Sequence, residues 1–118
     1  MGNQIIFYEK ANGESPVCEF LCELPLKLRA KTYWEIELLK EHGIVLKEPY
    51  VKVIKGEKYK GLWELRIKQG SDISRILYFM PIGKTFVLLH GFLKKTQKTP
   101  EIELEMALSR KIDYERRF

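Results

Sequence analysis

Leu62-Trp63-Glu64-Leu65-Arg66-Ile67-Lys68, Ile73-Ser74-Arg75-Ile76-Leu77-Tyr78-Phe79-Met80 and Phe86-Val87-Leu88-Leu89-His90 are three apolar-rich runs in succession. They are joined by Gln69-Gly70-Ser71-Asp72 and by Pro81-Ile82-Gly83-Lys84. The first run alternates, with Trp63, Leu65 and Ile67 on one side and Glu64, Arg66 and Lys68 on the other, which is the period of a half-buried strand. The second is apolar on both sides apart from Ser74 and Arg75, as a central strand is. Connections this short suit antiparallel hairpins. The middle of the chain therefore reads as a sheet, and the rest must cover it.

Upstream, Gln4-Ile5-Ile6-Phe7-Tyr8 reads as a short strand ended by Ala11-Asn12-Gly13. Ser15-Pro16 supplies an N-cap and a first-turn proline for a helix through Val17, Phe20 and Leu21. Pro25 breaks it, and a second helix runs from about Leu26 to His42, with Leu28, Tyr33, Trp34 and Leu38 at roughly helical spacing. Gly43 stops that helix. Val51-Lys52-Val53-Ile54 is a short strand or a loop edge, and Thr99-Pro100 opens a terminal helix that reaches toward Tyr114 and Arg116-Arg117. No repeat or linker interrupts the 118 residues, so residues 1–118 read as one α+β domain, helices lying against one face of the sheet.

Charge is unevenly placed. Residues 1–42 carry five Lys/Arg against seven acids, residues 43–99 twelve against four, and residues 100–118 four against five. The net of +5 is thus made by a middle segment of net +8, which is how a face for a polyanion is encoded, although a solvated basic surface would look the same. No apolar run approaches the ~20 residues of a membrane span, and no signal peptide is visible, so no membrane association and a cytoplasmic location are expected. Cys18 and Cys22 fall on one helical face and are expected to be free, buried thiols. With His42 and His90 they lack paired zinc-ligand spacing, and the acids form no metal-binding cluster, so neither metal nor cofactor is expected. Hydrolase and nucleotide-loop signatures are absent.

The candidate site lies in the basic segment. Arg66 is on the face opposite Trp63, Leu65 and Ile67, either gripping a ligand or simply exposed. Arg75 shares a face with Ile73, Leu77 and Phe79, where a guanidinium must be paired or aimed at an anion; a salt bridge to Glu64 is the plain alternative. Lys94, Lys95 and Lys98 follow the third run and, with Lys68, would rim a phosphate cradle. His90, beside Gly91, is a candidate for proton transfer near neutral pH or a structural strand-end histidine.

The block Gly61-Leu62-Trp63-Glu64-Leu65-Arg66, Arg75-Ile76-Leu77-Tyr78 and Leu89-His90-Gly91-Phe92-Leu93-Lys94-Lys95-Thr96-Gln97-Lys98-Thr99-Pro100, with Ala107, Arg110 and Asp113-Tyr114 beyond it, resembles the phage-derived Gp49-like branch of the RelE/HigB toxins. The resemblance covers about residues 4–115 in element order. It implies a compact toxin fold: a twisted, mainly antiparallel sheet, two N-terminal helices on one face, a C-terminal helix and a basic open face. It also implies a ribosome-dependent, metal-independent messenger-RNA endonuclease of a type II toxin–antitoxin system, restrained by a cognate helix-turn-helix-type antitoxin.

In that chemistry the ribose 2′-OH attacks the neighbouring phosphate and leaves a 2′,3′-cyclic phosphate and a 5′-OH. By position Arg66 and Arg75 look like the strand residues that grip the scissile phosphate in these toxins, and Lys94 or Lys95 stands near their basic residue after the last strand; both lysines are taken as catalytic candidates, and Lys68 and Lys98 are expected to bind RNA beside them. Residues 96–106 hold no tyrosine where relatives use one, and Tyr114 falls about two helical turns later, which brings His90 forward as a catalytic candidate. The competing reading is a non-catalytic protein of the same fold that acts through antitoxin or other protein contacts; a phage structural role would rest on the label alone. Concentrated positive charge favours RNA, because a protein-binding face would carry aromatic anchors.

Overall fold

In the computed structural model, which describes residues 2–96 and 98–118, the elements are β1 (Gln4–Phe7), α1 (Pro16–Cys22), α2 (Leu26–His42), β2 (Val51–Val53), β3 (Trp63–Gln69), β4 (Asp72–Phe79), β5 (Thr85–Leu93) and α3 (Glu101–Arg117). They form one α+β domain around a five-stranded sheet of order β1-β5-β4-β3-β2, antiparallel except where β1 runs parallel to β5. The local reasons match the sequence. Ser15 caps α1 by accepting from the Cys18 amide, and Gly43 ends α2 in a positive-φ conformation. Gly70 turns β3 into β4 at φ 63.

The sheet separates two cores. On one face Leu65, Ile67, Ile76, Tyr78, Phe86 and Leu88 pack against Val17 and Leu21 of α1 and Leu28, Ile36 and Leu39 of α2. On the other, Leu77, Phe79, Val87, Leu89 and Phe92 pack against Ala107, Leu104 and Leu108 of α3. Helices therefore lie on both faces, not one: α3 has its own apolar stripe, and the face left by α1 and α2 buries it.

α2 differs from expectation in its inward stripe. Tyr33 and Trp34 are about half exposed, and the buried positions are Leu28, Thr32, Glu35, Ile36 and Leu39. Thr32 is satisfied by the Leu28 carbonyl at 2.7 Å and by the Ser74 hydroxyl at 3.3 Å. Cys18 and Cys22 are exposed and free, contrary to the expected burial, because Val17, Leu21 and Leu24 take the inward side of α1.

One irregularity positions the site. Tyr78 pairs with Leu88 but Leu77 pairs with His90, so Leu89 is an extra residue, a β-bulge in β5. Side chains alternate along a strand, and one added residue reverses every position after it. Gly91 consequently pairs with Ile76 and turns toward α1, where a Cβ would lie 2.3 Å from the Phe20 ring. His90 and Phe92 turn to the α3 face, and Lys94, whose amide continues the ladder to the Ile73 carbonyl at 2.9 Å, falls on that face too.

Candidate nucleic-acid interface

Arg66 and Arg75 are direct cross-strand partners on the α3 face of the sheet, beyond the end of the helix-covered core. Two guanidiniums facing each other are unfavourable on their own. The Glu64 carboxylate sits between them: Oε1 is 3.7 Å from Arg66 Nε and 3.5 Å from Arg75 Nε, and its side chain is 3% exposed. Its other oxygen accepts a hydrogen bond from Thr99 Oγ1 at 2.6 Å, tying the segment that leads into α3 to the arginine pair. The ion pair from Glu64 to Arg75 is thus present, and it does not neutralise the cluster: one carboxylate serves two guanidiniums, with Lys94 nearby.

Arg75 is buried, donating to the Ser74 carbonyl at 3.0 Å, and burial lowers its pKa against the opposing pull of Glu64. Arg66 keeps 29% of its side chain exposed. Lys94 is half-buried; desolvation first, and then Arg75, Arg66 and Lys52, push its ammonium toward losing a proton, while Glu64 opposes them.

The cluster floors a cleft of about 660 Å3 lined by Arg66, Lys68, Arg75, Lys94 and Lys95, with Asp72 its sole acid among the described residues. A neighbouring recess of about 260 Å3 shares Arg66 and Lys94 and adds Lys52, Lys55 and Lys98, with Glu64 and Thr99 at its base. The two make one groove with cations along its whole length, the surface that a nucleic-acid backbone requires. Arg66, Arg75, Lys68, Lys94, Lys95 and Lys98 are brought together here. Lys52 and Lys55 were missed by sequence reasoning. For Lys52 the signal was its alternation with Val51 and Val53 on the edge strand that pairs with β3; Lys55 lies beyond that strand.

His90 stands apart from the groove. Its Nε2 lies 2.6 Å from Glu103 Oε1, and its Nδ1 lies 2.9 Å from Arg110 Nη1, which also donates to the Leu89 carbonyl at 3.0 Å. Since a guanidinium only donates, Nδ1 is the acceptor and Nε2 carries the proton toward the carboxylate, an assignment made from the partners. Burial lowers the His90 pKa, with Arg110 adding to this and Glu103 opposing it. Both ring nitrogens are committed to α3.

A third cleft, of about 360 Å3, opens where β3 continues past its pairing with β2. Lys31 and Glu35 of α2, Pro49-Tyr50 and the β3–β4 residues Arg66, Lys68 and Arg75 line it. Glu35 is 3% exposed, its Oε1 has no hydrogen-bond partner, and burial raises its pKa to about 7 against the lowering effect of Lys31 and Arg75. Among the described residues no group of His, Cys, Asp and Glu is arranged to hold a metal ion.

The sequence profile of the family described as phage derived protein Gp49-like (DUF891) matches residues 19–111, from within α1 to within α3. No curated protein matches the chain.

Proposed function

The chain belongs to the phage-derived Gp49-like family, a RelE/HigB-like toxin branch, and from that premise we propose that it is a type II toxin that cuts messenger RNA on the ribosome. The observation that carries the reading is the Arg66–Arg75 pair, set across one carboxylate in a groove that Lys68, Lys94 and Lys95 also line.

Cleavage by the ribose 2′-OH needs no external nucleophile. The 2′-hydroxyl gives its proton to solvent water as its oxygen bonds to phosphorus and the bond to the 5′-oxygen breaks, and negative charge builds on the non-bridging oxygens. Preorganised cations aimed at that charge supply the largest share of the acceleration. In this proposal Arg66 and Arg75 hold the phosphate, and Glu64 keeps their guanidiniums oriented. Lys94 gives its proton to the departing 5′-oxygen, a role suited to an ammonium already pushed toward deprotonation. Lys95 adds charge at the reacting phosphate, and Lys52, Lys68 and Lys98 hold the flanking backbone. No metal is called on. His90, fixed by Glu103 and Arg110, is assigned to holding α3 against β5.

The proposed partner is a small helix-turn-helix antitoxin, and the proposed place of action is the cytoplasm, where ribosomes are. No helix among the described residues is long and apolar enough to cross a membrane. Induced expression tests the proposal: the wild-type chain should arrest growth and Arg66→Glu should not, at equal protein level. Equal growth with either chain removes the toxin reading. Arg75 is a poorer probe, since an acid there would face Glu64 in a buried site and unfold the sheet.

A further inference from the structure

Glu35, at the basic end of the sheet, has no part in phosphate binding. A carboxylate in the buried stripe of a helix is ordinarily held by an arginine, a lysine or backbone amides. Among the described residues Glu35 has none of these: no ion pair reaches it, Oε1 is fully buried without a partner, and the nearby Lys31 ammonium donates to the Lys68 carbonyl at 2.9 Å instead. The acid lines a cleft, and that cleft shares Arg66, Lys68 and Arg75 with the phosphate groove. Beside it stands the half-buried ring of Tyr50, fixed edge-on by Trp34 at a centroid distance of 6.4 Å and an interplanar angle of 71°. An unpartnered acceptor, an aromatic face and a neighbouring phosphate site are the parts from which single-stranded RNA bases are recognised.

We propose that the cleft between α2 and the far end of β3 reads a nucleobase, with the Glu35 carboxylate accepting the adjacent N1–H and N2–H donors of a guanine whose flanking phosphate lies on Arg66 and Arg75. The choice of base follows from donor pattern. An ionised carboxylate only accepts, and it presents two oxygens side by side once the side chain turns into the cleft, since Oε1 is fully buried as it stands. Guanine alone offers two neighbouring donors on its Watson–Crick edge. Adenine and cytosine set one amino donor beside an acceptor, and uracil sets one imino donor between two carbonyls. Tyr50 supplies the stacking face, and Arg66 and Arg75 join the base pocket to the scissile linkage.

The inference rests on the RNA-cleaving reading of the groove, and the test separates the two. Binding of the full chain is measured by fluorescence anisotropy at low salt, at about pH 8 so that Glu35 is ionised. The probes are short labelled uridine strands carrying a single guanosine, inosine, adenosine or cytidine, and the all-uridine strand. The guanosine strand should bind about tenfold or more tighter than the adenosine, cytidine and uridine strands. Inosine, which keeps N1–H and lacks the N2 amine, should fall between. Glu35→Gln should bring the guanosine strand down to the level of the others, and Tyr50→Ala should weaken all of them. Equal binding of all five strands by the wild-type chain, with affinity still falling steeply as salt rises, overturns the base pocket and leaves the groove standing. Guanosine preference that survives in Glu35→Gln overturns it as well. Failure to bind any strand at low salt removes both readings, and the wild-type comparison decides even if a variant does not fold.

Discussion

Replacing Glu35 with glutamine should stabilise the protein, and only at neutral and alkaline pH. The carboxyl has an ordinary pKa of 4.5 and is raised by burial to about 7 in the fold. The folded state therefore holds the Glu35 proton more tightly than the unfolded chain does. Between those two values the native state binds more protons, so this residue's contribution to stability falls as pH rises through the interval and is fully unfavourable above it. At about 1.4 kcal/mol per pH unit the whole interval is worth about 3 kcal/mol. Glutamine is nearly isosteric and carries no charge, so it escapes this loss, although its buried amide also lacks partners and returns roughly 1 kcal/mol of the gain. Urea unfolding of both proteins is the assay. The two should agree within about 0.5 kcal/mol near pH 5, and Glu35→Gln should be more stable by about 2 kcal/mol near pH 8. Other titrating groups are common to both proteins and cancel in the difference. A stability difference that does not change with pH would refute the reasoning, because it would mean that Glu35 is not a buried, unpaired carboxyl.

The remaining expectations follow from the groove, the bulge and the α3 contacts. RNA affinity should fall with salt at a slope of about −2.8 on logarithmic axes if the scissile phosphate and three flanking ones, held by Lys52, Lys68 and Lys98, are each neutralised, and Lys68→Gln should reduce that slope by about 0.7. His90→Gln should lower stability by about 1 kcal/mol through its Glu103 and Arg110 contacts, seen in thermal unfolding, and leave messenger-RNA cleavage intact. Loss of cleavage in a well-folded His90→Gln protein would return that residue to the catalytic set. Gly91→Ala should cost about 1–3 kcal/mol in denaturant unfolding, because its Cβ would meet the Phe20 ring at 2.3 Å.

The order of elements was legible because its signals are local. Alternation around Leu65 gives a strand, Pro25 breaks a helix, and Gly43 and Gly70 sit where the backbone turns. The faces of Arg66 and Arg75 were legible for the same reason, since both precede the bulge and simple alternation holds there. Beyond Leu89 it does not: Lys94 was grouped with the arginines from its position after the third run and from the family resemblance, whereas alternation counted from Phe86 would have put it on the other face. The placement of α3 was misread because a single apolar stripe does not say which side of a sheet will receive it. Glu35 was passed over because the inward stripe of α2 runs through Thr32 and Glu35, polar residues that hydrophobic periodicity counts as outward, while Tyr33 and Trp34 drew the reading to the exposed side. The cysteines were placed inside by compartment reasoning, whereas the helical phase set by Val17, Leu21 and Leu24 turns them out.

The central claim, that Arg66, Arg75 and Lys94 form an RNA-cleaving site, is tested most directly by mapping products in a translating extract. Messenger RNA is incubated with the wild-type chain or with Arg66→Glu, the new ends are located by primer extension, and their chemistry is identified, with ribosome-free RNA as the control. The expected result is discrete cuts within translated codons bearing 2′,3′-cyclic phosphate and 5′-OH ends, present with the wild-type chain and absent with Arg66→Glu. Intact messenger RNA in the presence of folded wild-type protein, or the same cuts made by Arg66→Glu, would contradict it.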